Sequence, residues 1–272
     1  MTKVALVTGA SSGIGAATAR RLARAGWIVY GAARRIDRLA ELEPDGVRPL
    51  ALDVTDDAAM VAGVEKILAE EGRVDALVNN AGYGSYGSIE EVPLEEARRQ
   101  IEVNLFGLAR LTQLVVPGMR ERGSGTIVNI TSIGGKITTP FGGWYHASKF
   151  AVEGLSDALR VELAPFGVDV VVVEPGAIAT EWGDIAMESG RKVSGEGPYA
   201  ELVEKMASSL EGDGMARMAS DPDVVARAIE KAVTAKRPRT RYAVGFGAKP
   251  ILAARKVLPD RAMDWIQQRV VG

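Results

Sequence analysis

The chain has 272 residues, 47% of them hydrophobic and 25% charged, with a formal net charge of −2. That is the make-up of a globular protein with room for a sizeable core, and the charge balance offers no grip on nucleic acid or an anionic membrane. There is no cysteine and a single histidine, His146, which excludes disulfides, cysteine nucleophiles and zinc sites built from His and Cys, so no metal is expected.

The first apolar run, Val4–Val7, reads as a strand and is too short for the core of a signal peptide. Further β-branched runs follow at Ile28–Gly31, Arg48–Leu52, Ala76–Asn79, Thr126–Ile130 and Asp169–Val173. Such runs suit strands covered on both faces, as in a parallel sheet. Between them lie helical patterns at Ile14–Ala25, Ile36–Leu42, Asp57–Glu71, Leu94–Arg122 and Trp144–Ala164. This alternation predicts an α/β fold, a doubly wound parallel sheet, as a single domain over residues 1–272. A closed eight-unit barrel would need more repeats than the chain supplies.

After Thr180 the rhythm breaks. Residues 181–220 hold Gly183, Gly190, Gly195, Gly197, Gly212 and Gly214, together with Met187, Met206, Met215 and Met218. Glycine and methionine together suit an adaptable apolar lid, helical or looped, over a substrate. Residues 221–272 read as a C-terminal extension: Asp221 as N-cap with Pro222 at the first helical position, a helix from Val224 to Ala235, a last strand at Thr240–Val244 and an amphipathic tail at Pro250–Val271. The longest clean apolar run, Val170–Val173, is far short of a bilayer span. A cytoplasmic protein without a membrane segment is expected.

The turn after the first strand is Thr8-Gly9-Ala10-Ser11-Ser12-Gly13-Ile14-Gly15. Glycines here permit a tight turn and a close approach of backbone to ligand. The helix that follows presents unpaired N–H groups and a positive dipole end, a seat for a phosphate. At the end of the second strand an acidic residue would bind a ribose 2′-hydroxyl, whereas an arginine accommodates a 2′-phosphate. The chain reads Ala33-Arg34-Arg35 there, so Arg34 favours NADP(H) over NAD(H).

Tyr145 and Lys149 stand four residues apart at the start of a helical pattern, which puts phenol and ammonium on one face. A nearby cation is expected to pull the tyrosine pKa down from about 10. With six tyrosines and ten lysines in the chain, that spacing can also arise by accident. His146 is one step further along the helix and points about 100° away, so it reads as a spacer.

Taken in order, the glycine turn, Asp53, Asn79-Asn80-Ala81-Gly82, Asn104, Ser132, Tyr145, Lys149 and Pro175-Gly176 resemble the short-chain dehydrogenase/reductase family, whose members share the Rossmann fold. The likeness runs strongly from Lys3 to Thr180 and weakly from Asp221 onward. It implies Tyr145 as the acid that protonates a carbonyl oxygen, and Lys149 as the residue that binds nicotinamide ribose. It implies Ser132 as the hydroxyl orienting the substrate oxygen, and Asn104 as the holder of a relay water. Gly9, Ser11, Ser12, Gly13, Ile14 and Gly15 would cradle the diphosphate, with Asp53 and Val54 at the adenine. Asn80, Ala81 and Gly82 would lie beside the cofactor, and Pro175, Gly176, Ile178 and Thr180 on its nicotinamide side.

The family likeness thus implies hydride transfer between NADP(H) and a carbonyl or secondary alcohol, in an oxidoreductase that forms a homodimer or homotetramer. Tyr83, Tyr86, Phe141, Trp144 and Trp182 are candidates for the pocket wall of an apolar ketone or a hydroxysteroid-like substrate. The alternatives are a catalytically idle NADP(H)-binding sensor or scaffold, and an isomerase, epimerase or lyase on the same fold.

Overall fold

The computed structural model describes residues 2–211 and 218–271. Among them, seven strands form one parallel sheet: β1 Val4–Thr8, β2 Ile28–Ala33, β3 Val47–Ala51, β4 Ala76–Asn79, β5 Gly125–Ile130, β6 Val168–Pro175 and β7 Arg241–Val244. Their spatial order is β3-β2-β1-β4-β5-β6-β7. The helices are α1 Gly13–Arg24, α2 Ile36–Ala40, α3 Asp57–Glu71, α4 Leu94–Ile101, α5 Gly107–Arg122 and α6 Gly143–Leu163. Beyond β6 come α7 Trp182–Ser194, α8 Ala200–Glu211, α9 Asp223–Thr234, α10 Ala248–Val257 and α11 Asp260–Val271.

Successive side chains of a strand face opposite ways, and β1 to β6 each feed two cores. Ala5 and Val7 of β1, Val128 and Ile130 of β5 and Val171 and Val173 of β6 pack with Leu22 of α1 and Ile229 of α9. Val4 and Leu6, Ile127, and Val168 and Val170 pack instead with Ile67 of α3 and with Leu111 and Met119 of α5. That is why the strands read as unbroken apolar runs. Strand order reverses between β1 and β4, and in an open α/β sheet the crevice beyond the strand ends at such a reversal is where ligands bind. No helix among the described residues is long and apolar enough to cross a membrane.

Three local expectations need correcting. The pattern Leu94–Arg122 is not one helix: a π-helical segment, Glu102–Phe106, separates α4 from α5. Its extra residue per turn gives hydrophobic periodicity nothing to detect. Pro222, not Asp221, is the N-cap of α9, and the Asp221 carboxylate accepts from Asp223 N–H at 2.7 Å. Most of the lid segment is helical, as α7 and α8; Ala186, Gly190 and Ser194 recur every four residues on the buried face of α7. Gly212, Gly214 and Met215 lie outside the described residues.

Candidate active site

Tyr145 and Lys149 sit near the start of α6, both buried. The Tyr145 hydroxyl hydrogen-bonds to the side chain of Ser132, which holds an extended conformation at the end of β5 while its Oγ accepts from Gly134 N–H at 3.0 Å. Burial pushes the phenol up to about 12, against the Ser132 bond that lowers it. The expected lowering by Lys149 is therefore not what the protein's own groups produce. The lysine Nζ lies 5.9 Å from the phenol ring centroid and donates to the carbonyl of Ile130 at 2.9 Å. Burial draws Lys149 itself down to about 8, with Glu153 opposing that fall.

Asn104 reaches this cluster from the π-helical segment, a distortion that recurs at functional sites. Its Oδ1 accepts from Tyr83 N–H at 3.0 Å, and its Nδ2 donates to Tyr83 C=O and to Ser148 Oγ. Both amide hydrogens are thus engaged with protein, and the capacity left over is the second lone pair of Oδ1, beside Gly82. A Cβ built on Gly82 would lie 3.0 Å from that Oδ1 and 3.5 Å from Lys149 Nζ. Gly82 thus keeps open a gap of about methyl size between amide and ammonium. A Gly82→Ala variant should fold normally, since the backbone there is not left-handed. Its turnover should fall roughly 10²-fold, the scale of a small misplacement at a reacting centre. Turnover near the parental rate at an unchanged melting temperature would show that the gap is idle.

The glycine turn ends at Ser12, the extended N-cap of α1, whose side chain makes no cap bond. Gly9 and Gly13 have φ of 65° and 51°, and a Cβ on Gly15 would collide with the Gly9 carbonyl. The first N–H groups of α1 are thereby turned toward the cleft as an anion seat. Arg35 donates to Ser11 Oγ and Ser12 Oγ at 3.2 and 3.0 Å and pairs with Glu181 at 3.5 Å. Arg34 is exposed on the wall of the cleft that Asp53 also lines, and the Asp53 Oδ1 is held by Thr55 N–H and Oγ1. Val54 is buried beside it. Asn80 and Ala81 staple β4 to β1: Asn80 Nδ2 donates to Thr8 C=O at 2.9 Å and Ala81 N–H to Thr8 Oγ1 at 3.0 Å. On the far side, Pro175 closes β6 and Gly176 N–H bonds Val244 C=O at 2.8 Å. Ile178 bridges to Ser220, and Thr180 stands over Gly13.

A cleft of about 1650 Å3 is lined by every catalytic and cofactor-binding residue expected from the sequence, Ile14 included, except Gly15 and Asn104. An open helix N-terminus, a pair of arginines, an acidic side chain and a lysine along one groove are the donor set a phosphorylated dinucleotide requires. The residues present fit that group.

Tyr145 faces a wall of rings, with centroid distances of 4.8 Å to Trp182 and 6.1 Å to Tyr86. Trp182 opens α7, so that helix begins against the phenol ring. Tyr83 also lines the cleft, and its hydroxyl donates to Glu96 at 2.8 Å. Phe141 and Trp144 do not line it; Phe141, with φ of 62°, packs on Tyr199. Sequence reasoning missed Ile251, Ala254, Met263 and Ile266, which bring α10 and α11 to the apolar end. Their amphipathic pattern was visible, though not what it faced. His146 is more than a spacer: buried, it accepts from Thr139 N–H at Nε2 and bonds Gly134 C=O through Nδ1, clamping the loop after Ser132.

A family model described as short chain dehydrogenase matches residues 3–191. A 3-ketodihydrosphingosine reductase of Bacteroides thetaiotaomicron is 38% identical over 97% of this chain and 96% of its own length. An NADPH-dependent 3-dehydrocapnine reductase of Ornithobacterium rhinotracheale is 36% identical over 97% and 95%. Among solved structures, a short-chain dehydrogenase from Streptomyces avermitilis superposes with a TM-score of 0.81 at 38% identity, covering 98% of this chain and 95% of that one. A short chain dehydrogenase/reductase from Burkholderia phymatum in complex with NAD gives 0.80 at 25% identity, over 98% and 95%.

Proposed function

The chain belongs to the short chain dehydrogenase family, which makes it an oxidoreductase acting between CH–OH and C=O, and we propose that it is an NADP(H)-dependent reductase of an apolar ketone. The observation that carries this reading is the Tyr145 phenol, hydrogen-bonded to Ser132 and backed by Lys149 inside an apolar wall.

A nicotinamide cofactor, when bound, would supply the hydride. Tyr145 donates a proton to the oxygen as charge develops on it, and Ser132 holds that oxygen by hydrogen bonding. A phenol that burial pushes up to about 12 is a reservoir that keeps its proton at neutral pH. Lys149 and Asn104 flank the Gly82 gap through which a water could restore that proton. The turn from Gly9 to Gly15 would hold the diphosphate, Arg34 the 2′-phosphate, Asp53 and Val54 the adenine, and the loop from Pro175 to Thr180 the nicotinamide side. Trp182 and Tyr86, with Ile251 and Met263 further out, exclude water and favour an apolar substrate. The names of the two reductases above support a ketone, and one of them supports NADPH.

Self-association as a homodimer or homotetramer belongs to the same reading, supported by exposed Phe106, Phe150 and Val161 along the π-helical segment and α6. The experiment is NADPH consumption across a panel of aliphatic and aromatic ketones, with NADH in parallel. Turnover of several apolar ketones with NADPH preferred is the expected result. Tight NADPH binding without turnover of any ketone or alcohol would overturn the reductase and favour the idle binding protein.

A further inference from the structure

Behind the reacting groups lies a charged cluster, built around the buried carboxylates of Glu153 and Glu174, that the reaction does not itself use. Tyr145, Lys149 and Glu153 follow one another at four-residue steps, on one face of α6. Glu153 is only 3% exposed. Its Oε1 accepts from Thr131 Oγ1 at 2.7 Å, and its Oε2 meets Lys136 Nζ at 2.8 Å and Arg241 Nη2 at 2.9 Å. Arg241, on β7, also reaches Asp157 of α6 at 2.7 Å and Glu174 of β6 at 3.6 Å.

Replacing a buried ion cluster by apolar packing is often neutral or stabilising, so net stability is a weak explanation for this one. What it touches is more informative. Thr131 sits between Ile130, whose carbonyl takes the Lys149 ammonium, and Ser132, whose side chain meets Tyr145. Gly135, after Ser132, lets the strand end close onto α6: a Cβ there would lie 3.0 Å from Glu153 Cγ and 3.1 Å from the Lys149 carbonyl. The carboxylate therefore ties the one segment that carries both partners of the Tyr145–Lys149 pair to the helix that carries the pair.

We propose that Glu153 is a positioning residue of this site, clasping Thr131 so that Ser132 and the Ile130 carbonyl stay in register with Tyr145 and Lys149, and placing a buried carboxylate one helical turn beyond Lys149. The proposal rests on the reading of those three side chains as the reacting set. The charges around Glu153 are Lys136 from the loop after β5, Arg241 from β7, Glu174 from β6, and Asp157 and Lys149 from α6; Lys256 of α10 acts on Glu174. Glu153 is the group that raises Lys149 against the lowering effect of burial. Glu174 is itself raised by burial and by Glu153.

The two parts of the role separate in three variants. Glu153→Gln keeps an acceptor for Thr131 and loses the charge; Glu153→Asp keeps the charge and shortens the clasp; Thr131→Val removes the clasp and keeps the charge. The Lys149 titration is followed by NMR of 13Cε-labelled lysines in the cofactor-free protein, its signal assigned with Lys149→Met. Loss of a nearby opposite charge should lower it by about one pH unit in Glu153→Gln. It should stay in place in Glu153→Asp and Thr131→Val, while kcat for any ketone turned over falls about tenfold in both with KM little changed. An unmoved Lys149 titration in Glu153→Gln, together with parental kcat in Thr131→Val, would overturn the proposal. If Glu153→Gln does not fold, Glu153→Asp and Thr131→Val decide: parental kcat in both sinks it. Absence of ketone turnover in the parent would count against the reductase reading instead, and the lysine titration would still judge the charge.

Discussion

A Tyr145→Phe variant is expected to lose kcat by roughly 10²–10⁴-fold, the span a positioned general acid supplies, while binding NADPH as the parent does. The hydroxyl is the only atom removed, and it meets Ser132 across the cleft and not the glycine turn. The ring keeps its packing against Trp182 and Tyr86, so the fold has no reason to fail. Steady-state kinetics together with a cofactor titration check both halves. Activity within tenfold of the parent would remove Tyr145 from proton transfer. Equal loss of NADPH affinity would show instead that the variant had disturbed the cofactor seat.

The second large effect concerns the cofactor. Arg34→Ala is expected to weaken NADPH roughly 10- to 100-fold, the scale of charge-assisted hydrogen bonds to a phosphate, and to leave NADH almost unchanged. Both arginines are exposed on the cleft wall, so the penalty should shrink as salt is raised. Arg35→Ala should behave differently. Its guanidinium bonds Ser11 and Ser12 of the phosphate turn, a feature common to both cofactors, and pairs with Glu181 ahead of the lid helix. It should therefore weaken NADPH and NADH together. Direct titration of each variant with both nucleotides separates the two roles, and equal losses for Arg34→Ala would take that residue away from the 2′-phosphate.

Much of this site could be read in the chain because its chemistry depends on local spacing. Ser132, Tyr145 and Lys149 are placed by a strand end and a helix start, and the glycine turn by the strand before it. The interactions that tune them join distant segments. Lys149 stands close to Tyr145 in sequence, yet its ammonium turns to Ile130, and the phenol is governed by rings from residues 86 and 182. A sequence pattern shows which charges lie near each other along a helix but not how much water the fold removes from them, and burial reverses the expected shift at Tyr145.

Asn104 shows a second limit. Its identity was legible, whereas the π-helical register that turns it inward depends on tertiary packing and leaves no periodic mark. His146 shows a third: its partners Thr139 and Gly134 lie in a loop whose path no local rule fixes. The apolar end of the cleft is assembled from α7, α8, α10 and α11, segments far apart in the chain. Glycine and methionine content marked the first two as a lid, while the contribution of the C-terminal pair emerged only from the fold.

The central claim is that a hydride passes between nicotinamide and a carbonyl carbon while Tyr145 delivers the proton. The most direct measurement uses NADPH deuterated at C4 on the transferred face with one ketone that is turned over, followed by mass spectrometry of the alcohol. One deuterium on the carbinol carbon for each NADPH consumed is the predicted result, with the yield collapsing in Tyr145→Phe. Product that carries no deuterium, or that forms without net consumption of NADPH, would contradict the account and point to isomerisation, epimerisation or elimination on the same fold.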